Sequence, residues 1–393
     1  MLGTEHQQSF FDRISGRRSQ VMSMEGSHEQ ELEEFERFQR NVSQRFSALS
    51  SSTENLVGYK SKQPVASTTP VEPLLSIAWL RSLFDVFLCC EAEFKSFLVT
   101  NRDRRQFSRP PLDRLIAEYL DRSVKFLDIC NAVSLGIDTV RQCQRFAEIV
   151  VSSLSASISE GRIKRARKAL TLLRVALTAD ERGQGSGCVN SPERSWSVGK
   201  KPRASSSVAT PHLPFRSSSS VSKNWSAAGE IQAMSAGLTA PRGGVEATTI
   251  RAAVYMMSVV MVFTTWAMVA ALPCQDRSGL ASCFQVPRHV GWSQGMVALH
   301  ELIGDGWKRK EKNKCGGLLK EMRRLEKLGD GLMEICNGFE HPSGMEAMVG
   351  EMGEVCRTLE EGLDPLHRQI REIFHRVARS RGEILEVLVP HFA

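Results

Sequence analysis

The sequence of 393 residues lacks the short motifs that identify most enzymes and nucleic-acid-binding proteins. It has no glycine-rich loop for phosphate, no nucleophile–base–acid triad and no pair of carboxylates at a recognisable spacing. We therefore expect a non-enzymatic protein with no catalytic residue, no metal site and no cofactor. The net charge of +7 comes without a zinc-finger, RNA-recognition or basic-zipper motif, so we expect no nucleic-acid partner.

Two other absences concern the cellular compartment. The start of the chain lacks the continuous apolar core of a secretory signal, so we expect the N-terminal part in the cytosol. The ten cysteines form no CxxC pair and have no histidines at zinc-ligand spacing. They are predicted to be reduced thiols, several of which lie in apolar stripes and act there as small hydrophobic residues.

No segment shows the convincing alternation of a β-strand. Apolar residues instead recur at every third or fourth position through most of the chain, which predicts an all-α fold: a long antiparallel helical bundle with one strongly apolar central helix. The first amphipathic helix is predicted to begin at the capping box Ser27–Gln30, and the last at Asp364 and Pro365. Gly136 is expected to be a weak point within the third helix.

Composition divides the chain into five predicted regions. The segment 181–247 is rich in Ser, Gly, Pro and Arg and loses the apolar periodicity, so we predict a disordered linker there. The regions are a flexible N-terminal arm (1–26), an N-terminal helical bundle (27–180), the linker (181–247), a hydrophobic helix (248–272) and a C-terminal helical region packing on the bundle (273–393).

The stretch from Ala252 to Leu272 contains no charged residue. As a helix it would span roughly 31 Å, close to the hydrocarbon thickness of a bilayer. A continuous helix at the centre of a large soluble bundle has the same composition, so both interpretations stay open. The residues predicted for the membrane-spanning interpretation are Val254, Met257, Val260, Met261, Phe263, Trp266, Val269 and Leu272.

Two similar pieces recur in the predicted linker. Each places a serine directly after a tryptophan and three residues after a basic residue: Trp196 with Ser197, and Trp225 with Ser226. Exposed linkers seldom carry tryptophan, so the two indoles are candidate docking groups, and the serines are candidate phosphorylation sites. Chance is the alternative for the serines, because bases precede serines by accident in any Ser/Arg-rich segment.

Basic residues are concentrated in short clusters, at Arg162–Lys168, Lys200–Arg203 and Lys308–Lys314. Such clusters suit an acidic surface, such as an anionic lipid leaflet or an acidic protein. The alternative is that they are ordinary solvated helix faces and linker charge.

Several pieces of the sequence occur in an order typical of one plant family. They include Trp79–Arg81, Arg194–Ser197, Trp266–Ala271, Pro273-Cys-Gln-Asp-Arg277 and Gly362-Leu-Asp-Pro-Leu366. On these residues the chain resembles the plant-specific BYPASS-related family, which includes the roh-like proteins. The resemblance implies a regulator of root and shoot development that restrains a root-derived mobile signal, and a binder of a peripheral exocyst subunit in exocytosis. It implies no catalytic residue.

These observations lead to two hypotheses. The first is a membrane-associated helical adaptor, single-pass or peripheral at the plasma membrane or endomembranes, with most of the chain cytosolic and a protein partner that could be an exocyst subunit. The alternative is a small-molecule carrier or enzyme with a pocket between helices, for which histidines are the obvious polar candidates. Those histidines are His28, His289, His300, His341 and His375.

Overall fold

A computed structural model gives the fold of the chain. The residues that it describes are 5–54, 73–99, 110, 112–155, 159–178, 225–241, 249–313, 317–338 and 344–388. These residues are helices joined by turns and short loops, without a strand, which confirms the predicted all-α fold.

Nine α-helices follow one another along the described residues. In chain order they are α1 Glu5–Glu54, α2 Ile77–Val99, α3 Leu112–Leu154, α4 Glu160–Thr178, α5 Ala227–Ser235, α6 Thr249–Ala271, α7 Gln294–Asn313, α8 Lys320–Asn337 and α9 Met345–Leu388. A short 3-10 helix, Gly291–Ser293, leads into α7.

Helix α6 lies at the centre of the molecule, where α1, α2, α3, α5 and α7 contact it. Its side chains are apolar on every face, so only a helix with neighbours on all sides can bury them. Phe263 and Trp266 are among the largest fully buried side chains of the protein. Burying a large apolar side chain contributes about 1.5–3 kcal/mol, so α6 is a major source of folding free energy.

The remaining helices, α4, α8 and α9, pack chiefly on α2 and α3 and on one another. Helices α3 and α4 follow each other closely in the chain and pack against each other, and α8 packs against α4. Helix α9 lies along both α2 and α3 and also contacts α8. The buried apolar residues of these helices and of the helices around α6 form one continuous cluster.

Two helix boundaries differ from the predictions. Helix α1 begins at Glu5 and not at the capping box near Ser27, so most of the segment predicted as a flexible arm (1–26) has helical backbone. No proline interrupts residues 5–54, so the chain can continue as one helix. Helix α9 likewise runs through Pro365, because its buried stripe continues in phase on both sides of the proline, from Leu363 to Ile370.

The structure also differs from the predicted linker. Within 181–247, residues Ala227–Ser235 form α5, whose apolar residues Ala227, Ala228, Ile231 and Met234 are buried. A nine-residue helix is not stable alone, so this burial against α3 and α6 is what stabilises it. Trp196 and Ser197 lie outside the described residues.

Candidate functional site at the carboxyl end of α6

The eight residues predicted to face lipid are all buried inside the protein. Among the described residues α6 is the one helix long and apolar enough to cross a membrane, and 89% of its most apolar window is buried in the fold. Three of its hydroxyl side chains, those of Ser258, Thr264 and Thr265, are buried, and each donates to the carbonyl four residues earlier. In this fold α6 contacts other helices along nearly its whole length.

The carboxyl end of α6 is where distant segments of the chain meet. The last carbonyls of a helix have no partner within it, and a buried carbonyl without a partner is costly. The amide of Leu318 donates to the Ala270 carbonyl at 2.9 Å, and the amide of Leu319 donates to Ala271 at 3.1 Å. We call this region, comprising residues 270–277 and the groups that contact them, the α6 junction.

The side chain of Arg277 bonds two carbonyls near the carboxyl end of α6. Its guanidinium Nη1 donates to the carbonyls of Val269 and Leu272 at 3.5 and 3.4 Å, and the group lies 5.2 Å from the ring centre of Trp307. A cation at a helix carboxyl end is favoured by the helix dipole, and the indole face adds a cation–π contact. The side chain is buried, so Arg277 contributes to the fold from within.

Two glycines allow backbone to approach backbone at the same place. A Cβ at Gly136 of α3 would lie 2.0 Å from the Pro273 carbonyl oxygen, a distance that no side chain can accept. Gly317 has a positive φ of 32°, and a Cβ there would lie 2.7 Å from the Ala271 carbonyl oxygen. Gly136, expected to be a weak point of its helix, is therefore the position where α3 packs directly on the α6 junction.

Helix α5 docks on the α6 junction through its first turn. The amides of Ala227 and Ala228 donate to the carbonyls of Gln275 and Asp276 at 3.1 and 3.3 Å. The Ser226 hydroxyl accepts from the Gly229 amide at 3.1 Å and donates to the Asp276 carbonyl at 3.3 Å. Ser226, the candidate phosphorylation site, is thus the N-cap of α5.

Trp225 is half-buried and packs against the core. Much of its indole is already covered by the protein, so only part of it could contact a docking partner. Hydrogen bonding from Ser278 lowers the pKa of Asp276, and the side chain of Ser226, the neighbour of Trp225, adds a smaller contribution in the same direction. The carboxylate of Asp276 therefore stays ionised beside the start of α5.

Trp266 and His300 form a polar contact inside the core. The Trp266 indole donates to the Leu280 carbonyl at 2.8 Å, and the His300 ring stacks on it with centroids 4.4 Å apart. His300 Nε2 donates to the Phe284 carbonyl at 3.1 Å. Burial lowers the pKa of His300, so the ring is neutral and holds the loop before α7 against α6.

The other histidines proposed for a pocket do not form a common pocket with His300 in the described structure. His289 and His375 are exposed, while the side chains of His28 and His341 lie outside the described ones. Cavities of about 120 and 10 Å³ lie between helices of the described structure. Ligand pockets are usually of about 300 Å³ or more, so neither is large enough for a typical metabolite. Among the described residues no group of three His, Cys, Asp or Glu could hold a metal ion.

The surroundings of the buried thiols and of one buried carboxyl indicate a role in the fold. Burial raises the pKa of Cys143 and of Cys356 to about 12, which makes these thiols poor nucleophiles. The described cysteines are free thiols, in keeping with the predicted reduced state.

Glu321 accepts a hydrogen bond from the Ile77 amide at 3.2 Å, and burial raises its pKa. This carboxyl links the start of α8 to the start of α2.

Sequence reasoning did not find the roles of Arg277 and Gly136. One signal for Arg277 was available: a base five residues after the uncharged stretch that ends at Leu272 is placed to bond the last carbonyls of the helix. Gly136 gave no such signal, because its partner Pro273 is distant in sequence and only the packing of α3 brings them together.

Comparison with known proteins gives related chains from a plant. Residues 1–388 match the sequence model of the family described as "Protein ROH1-like". The chain is similar to Protein ROH1A of Arabidopsis thaliana, with 47% identity covering 98% of this chain and 96% of that protein. It is also similar to Protein ROH1D of Arabidopsis thaliana, with 37% identity covering 90% and 88% of the two chains. No solved structure matches the chain.

Proposed function

Because the chain belongs to the ROH1-like family of plant proteins, we propose that it is a non-enzymatic helical adaptor that acts in secretion and development. The observation that carries this proposal is the filled core. In the described structure, side chains occupy the space between the helices, and the two best-formed cavities measure about 120 and 10 Å³. Recognition by such a protein takes place on its surface, as expected for an adaptor.

The proposed partner is a peripheral subunit of the exocyst, the partner implied by the resemblance to the BYPASS-related family. The test mixes the purified full-length chain with a purified plant subunit of that type, using a core exocyst subunit as the control. We expect co-elution in size-exclusion chromatography with the peripheral subunit alone. Absence of a complex would contradict the proposed exocyst partner. Turnover of a metabolite that depends on one polar side chain would contradict the proposed adaptor role.

We also propose that any membrane association is peripheral, with α6 inside the protein. This is supported by the burial of α6 among five helices and by the hydrogen bonds that cap its last carbonyls within the fold. Alkaline carbonate extraction of plant membranes tests the proposal. A peripheral protein is released into the supernatant, whereas retention in the pellet would indicate that α6 spans the bilayer.

Phosphorylation of Ser226 is proposed as a way to loosen α5. A phosphate would remove the hydroxyl proton that bonds the Asp276 carbonyl and would place about two negative charges beside the ionised Asp276 carboxylate. Hydrogen exchange on chains carrying phosphoserine or alanine at position 226 provides the test. We expect faster exchange in residues 227–235 with phosphoserine than with alanine. Equal exchange in the two chains would contradict the proposal.

A further inference from the structure

Helix α4 combines basic charge with exposed apolar side chains. Six of its residues are Lys or Arg and one is Glu. Its buried residues Ala166, Ala169, Leu170, Leu173 and Leu177 face α3 and α8. The opposite side of the helix faces solvent and carries Lys164, Arg165, Lys168, Leu172 and Val175. We call these five residues the α4 outer face.

The charges of the α4 outer face are poorly neutralised by the protein. Lys164 pairs with Glu160 at 2.8 Å, but both side chains are more than two-thirds exposed, so the pair is weak. No described residue forms an ion pair with Arg165 or Lys168. Arg167 differs, since its guanidinium donates to the Cys336 carbonyl of α8. Arg165 and Lys168 therefore present positive charge to an outside partner.

The apolar part of the α4 outer face is unusually open. Leu172 is 41% exposed and Val175 is 58% exposed, and Val175 is the most exposed large hydrophobic residue that the structure describes. Both follow Lys168 at helical spacing, four and seven residues on, so charge and apolar groups lie on one side of the helix. Leu135 of α3 is also open to solvent, with 51% of its surface exposed. It lies one turn before Thr139, and Thr139 and Ala176 of α4 line the same small cavity.

We propose that the α4 outer face is a docking surface for an anionic membrane. Lys and Arg near an anionic leaflet are attracted to lipid headgroups, and exposed apolar side chains can enter the boundary between headgroups and acyl chains. The face extends about 16 Å along a single helix. It is convex, which suits a flat, deformable surface better than the groove that a partner helix requires.

Charge also argues against coverage by the chain's own neighbouring segment. Residues 179–224, which follow α4, contain seven basic and three acidic residues, a net charge of +4. Like charge does not draw this segment onto Arg165 and Lys168. The inference rests on the proposal that α6 stays inside the protein, since a spanning helix would fix the chain to the membrane by itself.

The experiment is co-sedimentation of the full-length chain with phosphatidylcholine vesicles, with or without phosphatidylserine, at low and high salt. We expect binding only with phosphatidylserine and weaker binding at high salt. Removal of one base near such a surface weakens binding about fivefold. We therefore expect Arg165→Glu with Lys168→Glu to weaken binding by a factor of at least about 25.

A matched pair on α8 is the control. Arg323→Glu with Lys327→Glu changes the net charge equally at two exposed positions without an ion pair among the described residues. We expect this pair to bind nearly as the unmodified chain does, and Leu172→Ser with Val175→Ser to weaken binding several-fold. Circular dichroism checks that each variant is folded.

Three results would overturn the inference. The first is equal loss from the α4 and α8 pairs, which would show that net charge alone is responsible. The second is no vesicle binding by the unmodified chain. The third is binding to polyglutamate that depends on Arg165 and Lys168 without binding to vesicles, which would assign the surface to an acidic protein. Carbonate extraction tests α6 separately, so failure of one proposal can be distinguished from failure of the other.

Discussion

Helix α6 has no charged side chain between Ala252 and Leu272, whereas six of the nineteen residues of α4 are Lys or Arg. By composition, α6 resembles a membrane span and α4 a solvated surface helix. In the fold, five helices enclose α6, while α4 presents Leu172 and Val175 to solvent. The comparison shows that neighbouring helices, and not hydropathy alone, determine which helix is available to a membrane.

The largest expected effect comes from placing a charge in each helix. Val260 of α6 is 0% exposed and Val175 of α4 is 58% exposed. Val260→Lys should lower the free energy of unfolding by more than about 4 kcal/mol, because an unpaired charge would be buried, while Val175→Lys should change it by less than about 0.5 kcal/mol. Denaturant unfolding of detergent-free protein measures both. Similar stability of the two variants would contradict the enclosure of α6.

The next effect tests how tightly α6 is held at its end. Gly136→Ala should cost about 2–3 kcal/mol, because its Cβ would meet the Pro273 carbonyl. Gly350→Ala in α9 is the matched control: its Cβ has no atom within 4 Å, so the better helix propensity of alanine should add up to about 1 kcal/mol. Thermal unfolding should shift in opposite directions. A stabilised Gly136→Ala chain would show that α3 does not touch the α6 junction.

A smaller effect compares a buried arginine with an exposed one. Arg277→Met should lower the free energy of unfolding by about 2 kcal/mol, since two carbonyls near the end of α6 lose a charged donor. Arg165→Met on the α4 outer face should change it by no more than about 0.5 kcal/mol. Urea unfolding at constant pH gives both values. Equal values would mean that Arg277 is not needed to close the junction.

The smallest expected effect depends on pH. Burial holds the folded-state pKa of His300 below its usual value, so the unfolded chain binds a proton that the folded chain does not. The free energy of unfolding should therefore fall as pH drops below about 6.5, by at most about 1.4 kcal/mol per pH unit. His300→Gln should reduce this slope. Unfolding followed from about pH 7.5 to 5.5 compares the two chains, and an unchanged slope would contradict a buried neutral ring.

The sequence predicted what depends on local pattern. The three-and-four spacing of apolar residues gave the all-α fold, and the uncharged stretch gave the central helix. Whether that helix faces lipid or protein could not be decided from its own residues, because both surroundings select the same side chains. The helix in the predicted linker was missed for a similar reason: its four buried residues are too few to stand out, and they are stabilised by α3 and α6.

The candidate site was less predictable than the fold. Ser226 was identified from sequence, yet its bonds to the Asp276 carbonyl and the Gly229 amide depend on a chain reversal that no local pattern specifies. Trp225 was predicted as a docking group, and only the packing shows how much of it the core already covers.

The capping of α6 by Leu318 and Leu319 also has a consequence for the order of synthesis. These two residues leave the ribosome nearly fifty residues after α6 does. At about 5–20 residues per second, the last two carbonyls of α6 therefore wait several seconds for their donors. A chain truncated before Leu318 would lack both donors permanently, so the carboxyl end of α6 would stay uncapped.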